Sequence, residues 1–308
     1  MASKSGLDDA TKGKLLLIAL AFCWGLAWPA LRIALDELSP WATRWFGYSI
    51  GAAALAVLLK LQGRSFYIPF GRNWLHIIAA GMLNVVAFGV FGTLAQLNTA
   101  TTRVIIINYS MPIWSSMLAW LILRERPNAW IAAGLALCIA GLAVLVYPVA
   151  ATSLGEPTGL ILAFLCSVSW AAGTIYMKIV RFDGDLIAVT MWQVVVGASV
   201  FALLYLIMQG PPVFETLQLR TWLGLAYAGL FGTAAAYFIW YNIIGKVSTA
   251  TASLGTLANP VVGVVGSVLI LGERMTIADI VGFALIFAAA ACVLLQPRQR
   301  AIDTRTPT

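Results

Sequence analysis

The stretch LILRER, residues 121–126, returns as LILGER at residues 269–274, 148 positions further along the chain. At the same offset Pro112 meets Pro260, Gly134 meets Gly282, Trp74 meets Trp222 and Gly81 meets Gly229. At an offset of 146, Gly13 meets Gly159, Trp24 meets Trp170, Arg32 meets Lys178, Gly51 meets Gly197 and Ala56 meets Ala202. Matches spread over both halves with so small a drift in offset mark an internal repeat.

The setting of the repeat is lipid. Of 308 residues 61% are hydrophobic and only 10% charged, and the mean hydropathy is +0.91, whereas a soluble domain carries about 25% charged residues. Apolar runs long enough for a hydrocarbon core about 30 Å thick recur ten times. They give helix 1 (14–34), helix 2 (41–61), helix 3 (74–97), helix 4 (103–123), helix 5 (128–147), helix 6 (157–178), helix 7 (186–208), helix 8 (221–244), helix 9 (249–271) and helix 10 (276–295). Lipid leaves the backbone only helices or closed barrels, so the chain reads as an all-α polytopic membrane protein. Each repeat holds five helices, and an odd number makes the second enter the membrane from the opposite side. The expected organisation is a cytoplasmic N-terminal segment (1–13), a first five-helix repeat (14–148), an inverted second repeat (157–296) and a cytoplasmic tail (297–308).

The charge of +7 is topological rather than a sign of nucleic-acid binding. Lys12, Lys14, Lys60, Arg64, Arg72, Arg124, Arg126, Arg181 and Lys246 all fall on one side, which the positive-inside rule makes cytoplasmic, with both termini there. Helix 1 resembles a signal peptide in its lysines and apolar run. It lacks an evident small-residue cleavage site, and removing it would destroy the pairing of the repeats. Cys23, Cys138, Cys166 and Cys292 lie inside predicted helices as small hydrophobes. No disulfide framework or metal-ligand spacing is present, and no cofactor is expected.

Inverted repeats are a transporter plan, with the site near the midplane between them. The "CWG" of helix 1, its echo "SVSW" in helix 6, and the endings "PIWSSMLAWLILRERP" and "PVVGVVGSVLILGERM" resemble the ten-helix EamA-type members of the drug/metabolite transporter superfamily. The likeness covers residues 12–296. The aromatic density and "NYSMPIWSS" are similar to the YddG-type aromatic amino-acid exporters. The resemblance implies export of aromatic and other large neutral amino acids across a bacterial inner membrane, with aromatic cations such as methyl viologen as the rival substrate class.

All twelve carboxylates lie in termini, loops or helix-end turns, and the single histidine, His76, falls in the first turn of helix 3. Proton relays in pumps use intramembrane acids or histidine, so facilitated transport or exchange is expected. Without an acid to pair with an amine, recognition falls to aromatic faces, hydrogen bonds and backbone groups. Helix 1 sets Trp24 and Trp28 one turn apart on one face. Helix 6 answers with Trp170 and Thr174, helix 3 with Asn84 and Phe88, and helix 8 with Tyr237. The tryptophans either wall a pocket or simply pack, and Asn84 either joins two helices or faces water.

Helix 4 adds Asn108 and Tyr109. Helix 9 adds a polar stripe of Thr249, Ser253, Thr256 and Ser267, with Asn259 beside it. Pro112 and Pro260 each remove a backbone donor, and their matched placement reads as paired hinges or as plain kinks. Arg32 and Arg103 are candidate guides for a substrate carboxylate, or snorkel to the surface. Arg44 is read as snorkelling. Small residues on helices 5 and 10 form close-packing faces, suited to a scaffold or to a homodimer contact.

An intramembrane enzyme would need a nucleophile and base, a metal cluster or paired acids, and the sequence offers none. A phosphorylated substrate would want several arginines or lysines at cavity depth. A channel or an accessory membrane protein remains the alternative from another class.

Overall fold

The computed structural model describes residues 9–124, 127–151, 157–211, 216–243 and 249–295, with backbone alone at 9–11, 149–151, 243 and 249–255. Glu125 and Arg126 of the first motif, and the side chains of Thr249 and Ser253, therefore lie outside the described residues.

Among the described residues nine helical spans are long and apolar enough to cross a bilayer: Lys12–Ala34, Pro40–Leu61, Arg72–Asn98, Thr101–Leu123, Ala129–Pro148, Thr158–Ile179, Leu186–Gln209, Leu219–Asn242 and Ile277–Leu294. Helix 9 supplies the tenth crossing as one helix, Thr249–Leu271. The ends are set by short polar side chains. Ser39 caps helix 2 ahead of Pro40, and its hydroxyl accepts from the Ala42 amide at 3.2 Å. Asp185 caps helix 7 through the Ile187 amide at 2.8 Å. Thr276 and Asp279 cap helix 10 reciprocally.

Packing exchanges elements between the repeats. Helix 2 lies along helices 7 and 8, helix 7 also along helix 3, helix 1 along helices 8 and 9, and helix 6 along helices 3 and 4. The exchange is symmetric to the residue. A Cβ on Gly51 of helix 2 would stand 2.8 Å from Thr233 of helix 8, and Gly197 of helix 7 is overlain in the same way by Val85 of helix 3. These are corresponding pairs, 146 and 148 positions apart. Likewise a Cβ on Gly229 would stand 2.8 Å from the Gly47 carbonyl, beside Ile50, and one on Gly81 would stand 3.2 Å from the Gln193 carbonyl, beside Val196. In lipid, helix association depends on such close approach, and here it joins one repeat to the other.

The loops repeat the symmetry. On the outer side Glu37 accepts from the Gln218 amide at 3.0 Å and from the Thr221 hydroxyl, and Ser39 donates to Gln209 at 2.7 Å. On the cytoplasmic side Asn73 donates to Asp183 at 3.1 Å, and Arg64 pairs with Asp185. Glu37 and Asp183 correspond, as do Thr221 and Asn73.

Helices 5 and 10 pack on each other. Gly141 meets Ile286 and the Gly282 carbonyl, Gly282 meets Leu145, and Gly134 meets Ile113, Val293 and the Ala289 carbonyl. At these glycines the bare backbone of each helix meets branched side chains of its neighbours within the chain.

Helices 3, 4 and 8 depart from regular geometry where sequence reading gives no reason to expect it or gives half a reason. Helix 3 is π-helical over Met82–Ala87 and helix 8 over Tyr227–Ala235, again at corresponding positions. Helix 4 is divided into Thr101–Asn108 and Met111–Leu123. Helix 9, by contrast, runs unbroken through Pro260. The two matched prolines thus sit in different settings, Pro112 beside a break and Pro260 within a continuous helix. The cause is Ser110. Pro112 cannot donate to the Asn108 carbonyl, which instead accepts from Ser167 at 3.2 Å. Ser110 donates to the Ile107 carbonyl at 2.6 Å and accepts from the Trp114 indole at 2.7 Å. The second repeat has Ala258 where the first has Ser110, so nothing there holds a break open.

Candidate functional site

Helices 1 and 8 pack as a pair, and so do helices 3 and 6. Each pair takes one helix from each repeat, and packing within pairs is close while side chains bridge between them. Helix 1 is interrupted at Leu26, between Asp9–Gly25 and Ala27–Ala34. Pro29 deprives the Gly25 carbonyl of its intrahelical donor. That carbonyl lies 3.2 Å from where a Gly263 Cβ would stand, and a Gly25 Cβ would stand 2.9 Å from the Asn259 carbonyl. Two bare backbones thus let the interrupted helix settle on helix 9, and this seats Trp24 and Trp28.

From there the aromatic side chains form two groups. Trp28, 8% exposed, meets Phe88 of helix 3 edge-on at 5.9 Å, and Phe88 meets Trp170 of helix 6 at 4.9 Å. Trp24 meets Tyr237 at 6.1 Å and Trp240 at 5.9 Å, and Tyr237 stacks on Tyr241 at 6.5 Å. Offset and edge-to-face contacts at these distances are favourable arrangements for rings. Phe88, Trp24, Trp170 and Tyr237 are only partly buried. The first group spans both helix pairs. The second runs down helices 1 and 8.

Asn84 lies on the π-helical turn of helix 3, with Phe88 immediately after that turn. Its side chain occupies the place where a Gly173 Cβ would be, so it rests on the bare backbone of helix 6. π-Helical turns often mark functional positions because they re-aim side chains within a helix. Thr174, one turn beyond Trp170, is exposed. Asn108 and Asn259 are buried, and each keeps a side-chain oxygen without a hydrogen-bond partner. Tyr109 turns its hydroxyl to the Asn259 side chain. Such buried oxygens are costly, and these flank the break in helix 4.

The arginines are placed differently from the sequence reading. Arg32 pairs with Asp36 at 2.6 Å, and Asp36 also holds Arg220 at 3.0 Å. Arg103 pairs with Asp279 at 2.6 Å, a second nitrogen reaching the other carboxylate oxygen at 3.3 Å. Both candidate guides are paired with carboxylates at the outer helix ends. Arg44, expected to snorkel, is 7% exposed. It points inward, donating from Nε to Thr93 of helix 3 and from Nη1 to Tyr48 at 3.3 Å. It lies on the same helix-2 stripe as Tyr48 and Gly51, and that stripe was the sequence signal for its inward face.

Among the described residues no group of three or more His, Cys, Asp or Glu side chains gathers to hold a metal ion. Asp36, Glu37, Asp183, Asp185, Glu273 and Asp279 are all engaged at helix ends. Glu273, from the second motif, accepts from the Thr101 and Thr102 amides at 2.7 and 2.8 Å and so caps helix 4 of the other repeat.

Ten crossings, inverted repeats that exchange helices, and an aromatic centre between two mixed pairs define a multi-pass membrane transporter. The chain belongs to the EamA-like transporter family, which matches it twice, over residues 11–147 and 157–295. Members of this family are transporters and not enzymes. The chain is similar to the uncharacterized transporter YoaV of Bacillus subtilis, 24% identical over 88% of this chain and 92% of that one. It is also similar to a probable amino-acid metabolite efflux pump of Escherichia coli, 23% identical over 89% of this chain and 92% of that protein. A crystal structure 20% identical in sequence shares the fold, with a TM-score of 0.64 over 92% of this chain and 97% of the other.

Proposed function

We propose that the protein exports aromatic and other large neutral amino acids across a bacterial inner membrane, by facilitated transport or exchange between the two mixed helix pairs. The observation that carries this reading is the Trp28–Phe88–Trp170 group, which joins helices 1, 3 and 6, with the rings of Phe88 and Trp170 only partly buried. A flat apolar side chain stacks on such faces. The unpartnered oxygens of Asn108 and Asn259 suit an ammonium or amide N–H. The likeness to a probable amino-acid metabolite efflux pump of Escherichia coli supports export and an amino-acid-related substrate.

Engagement of the described carboxylates at helix ends supports a cycle without an intramembrane acid relay. The test is counterflow of labelled phenylalanine in proteoliposomes, with and without an imposed pH gradient. Saturable counterflow that persists without the gradient supports a carrier of this kind. Strict dependence on the gradient, or flux without saturation, overturns it.

A further inference from the structure

Arg44 is not explained by repeat symmetry or by helix packing. Its counterpart is Thr190, and the contacts correspond: Arg44 bonds to Thr93 of helix 3, and Thr190 pairs with Tyr241 of helix 8 at 3.1 Å. Thr93 and Tyr241 are themselves counterparts, 148 positions apart. A neutral hydroxyl therefore suffices to tie these helices together in the second repeat. The first repeat has a full positive charge in its place.

Among the described residues that charge has no counter-ion. Arg44 is 7% exposed, and among the described residues no carboxylate lies within ion-pair distance of it; Asp36, Asp185 and Asp279 pair instead with Arg32 and Arg220, Arg64 and Arg103. The groups that engage it, the hydroxyls of Thr93 and Tyr48 and the Tyr48 ring at 5.5 Å, are all neutral. Nη2 makes no hydrogen bond to the described protein and lies beside Gly92. A Cβ there would stand 3.5 Å from Nη2, 3.6 Å from the Trp28 ring and 3.1 Å from the Cys166 sulfur. Gly92 thus leaves the open edge of the guanidinium next to the indole of the central aromatic group.

A charge buried in a membrane protein without a partner is expensive and marks a functional position, and a planar guanidinium matches the two oxygens of a carboxylate. We infer that Arg44 anchors the carboxylate of the transported molecule. The site then selects aromatic or large apolar compounds with an anionic head, zwitterionic amino acids among them, and rejects aromatic cations. This rests on the reading of Trp28, Phe88 and Trp170 as the substrate site.

The test is made on the full chain in proteoliposomes. In wild type, 3-phenylpropanoate should compete with phenylalanine uptake, while phenethylamine and phenylalaninamide, which lack the carboxylate, should not. Better competition by the amines than by the acid overturns the inference without any variant. In Arg44→Gln, preference for phenylalanine over phenylalaninamide should fall by at least about 30-fold, the scale expected when one partner of a buried charge pair is removed, and Arg44→Lys should recover part of it. If Arg44 is only a tie between helices 2 and 3, both compounds lose flux equally and the preference survives, which also overturns the inference. Absence of transport of any aromatic amino acid by wild type would instead sink the proposed function.

Discussion

Asn84 on helix 3 fills the space that a side chain on Gly173 of helix 6 would need. The two helices belong to different repeats, and the contact sits on the π-helical turn beside Phe88. Gly173→Ala forces Asn84 out of this seat, and an overpacked contact of this kind costs about 1–3 kcal/mol. The thermal midpoint in detergent should fall and recover in Gly173→Ala/Asn84→Ala, which frees the same volume. Additive losses in the double variant would show that the two residues are not coupled.

Phe88 touches both Trp28 and Trp170. Phe88→Ala should weaken apparent affinity for phenylalanine by about tenfold, since ring pairing is worth about 0.5–1.5 kcal/mol beyond area burial. Affinity for leucine should change less. An equal loss for both substrates would mean that Phe88 packs the helices and does not meet the ligand.

Arg103 and Asp279 form a two-point pair in which Asp279 is nearly buried and Arg103 is partly open to solvent. Arg103→Gln leaves a carboxylate without its partner. The full cost for a buried pair is about 3–5 kcal/mol, reduced here by the exposure of the arginine to roughly 2 kcal/mol. Stability should drop while substrate preference stays as in wild type. A changed preference would restore Arg103 as a guide.

Much of this was legible in the sequence because lipid is a strict solvent. It demands apolar segments of one length, so ten crossings and the pairing of Trp24 with Trp170 could be read directly. The inverted relation followed from the odd number of helices. What could not be read depended on neighbours from the other repeat. Arg44 looked like a surface cation because it lies near a helix end, and only Thr93, Tyr48 and Gly92 turn it inward. The π-helical turns have no composition of their own, since Met82–Ala87 reads as an ordinary apolar run. The sequence could not show that the two matched prolines sit in different backbones, because the carbonyl freed by Pro112 finds its donor in Ser167 of the other repeat.

That asymmetry makes its own prediction. Pro112→Ala offers the Asn108 carbonyl an amide in competition with Ser167, and should slow or arrest counterflow. Pro260→Ala alters a helix that is already continuous and should leave turnover within about twofold. Turnover measured at saturating phenylalanine separates the two, and equal effects would remove helix 4 as the element that bends.

The exchange of glycine seats, Gly51 under Thr233 and Gly197 under Val85, also bears on how the chain is made. The first five helices emerge from the ribosome with their seats unfilled, so they wait in the bilayer for partners that have not yet been synthesised. Each half is a template for the other and neither is a finished object. A chain divided between residues 148 and 157 should therefore yield two unstable fragments when each is expressed alone, and a functional carrier when both are produced in the same cell.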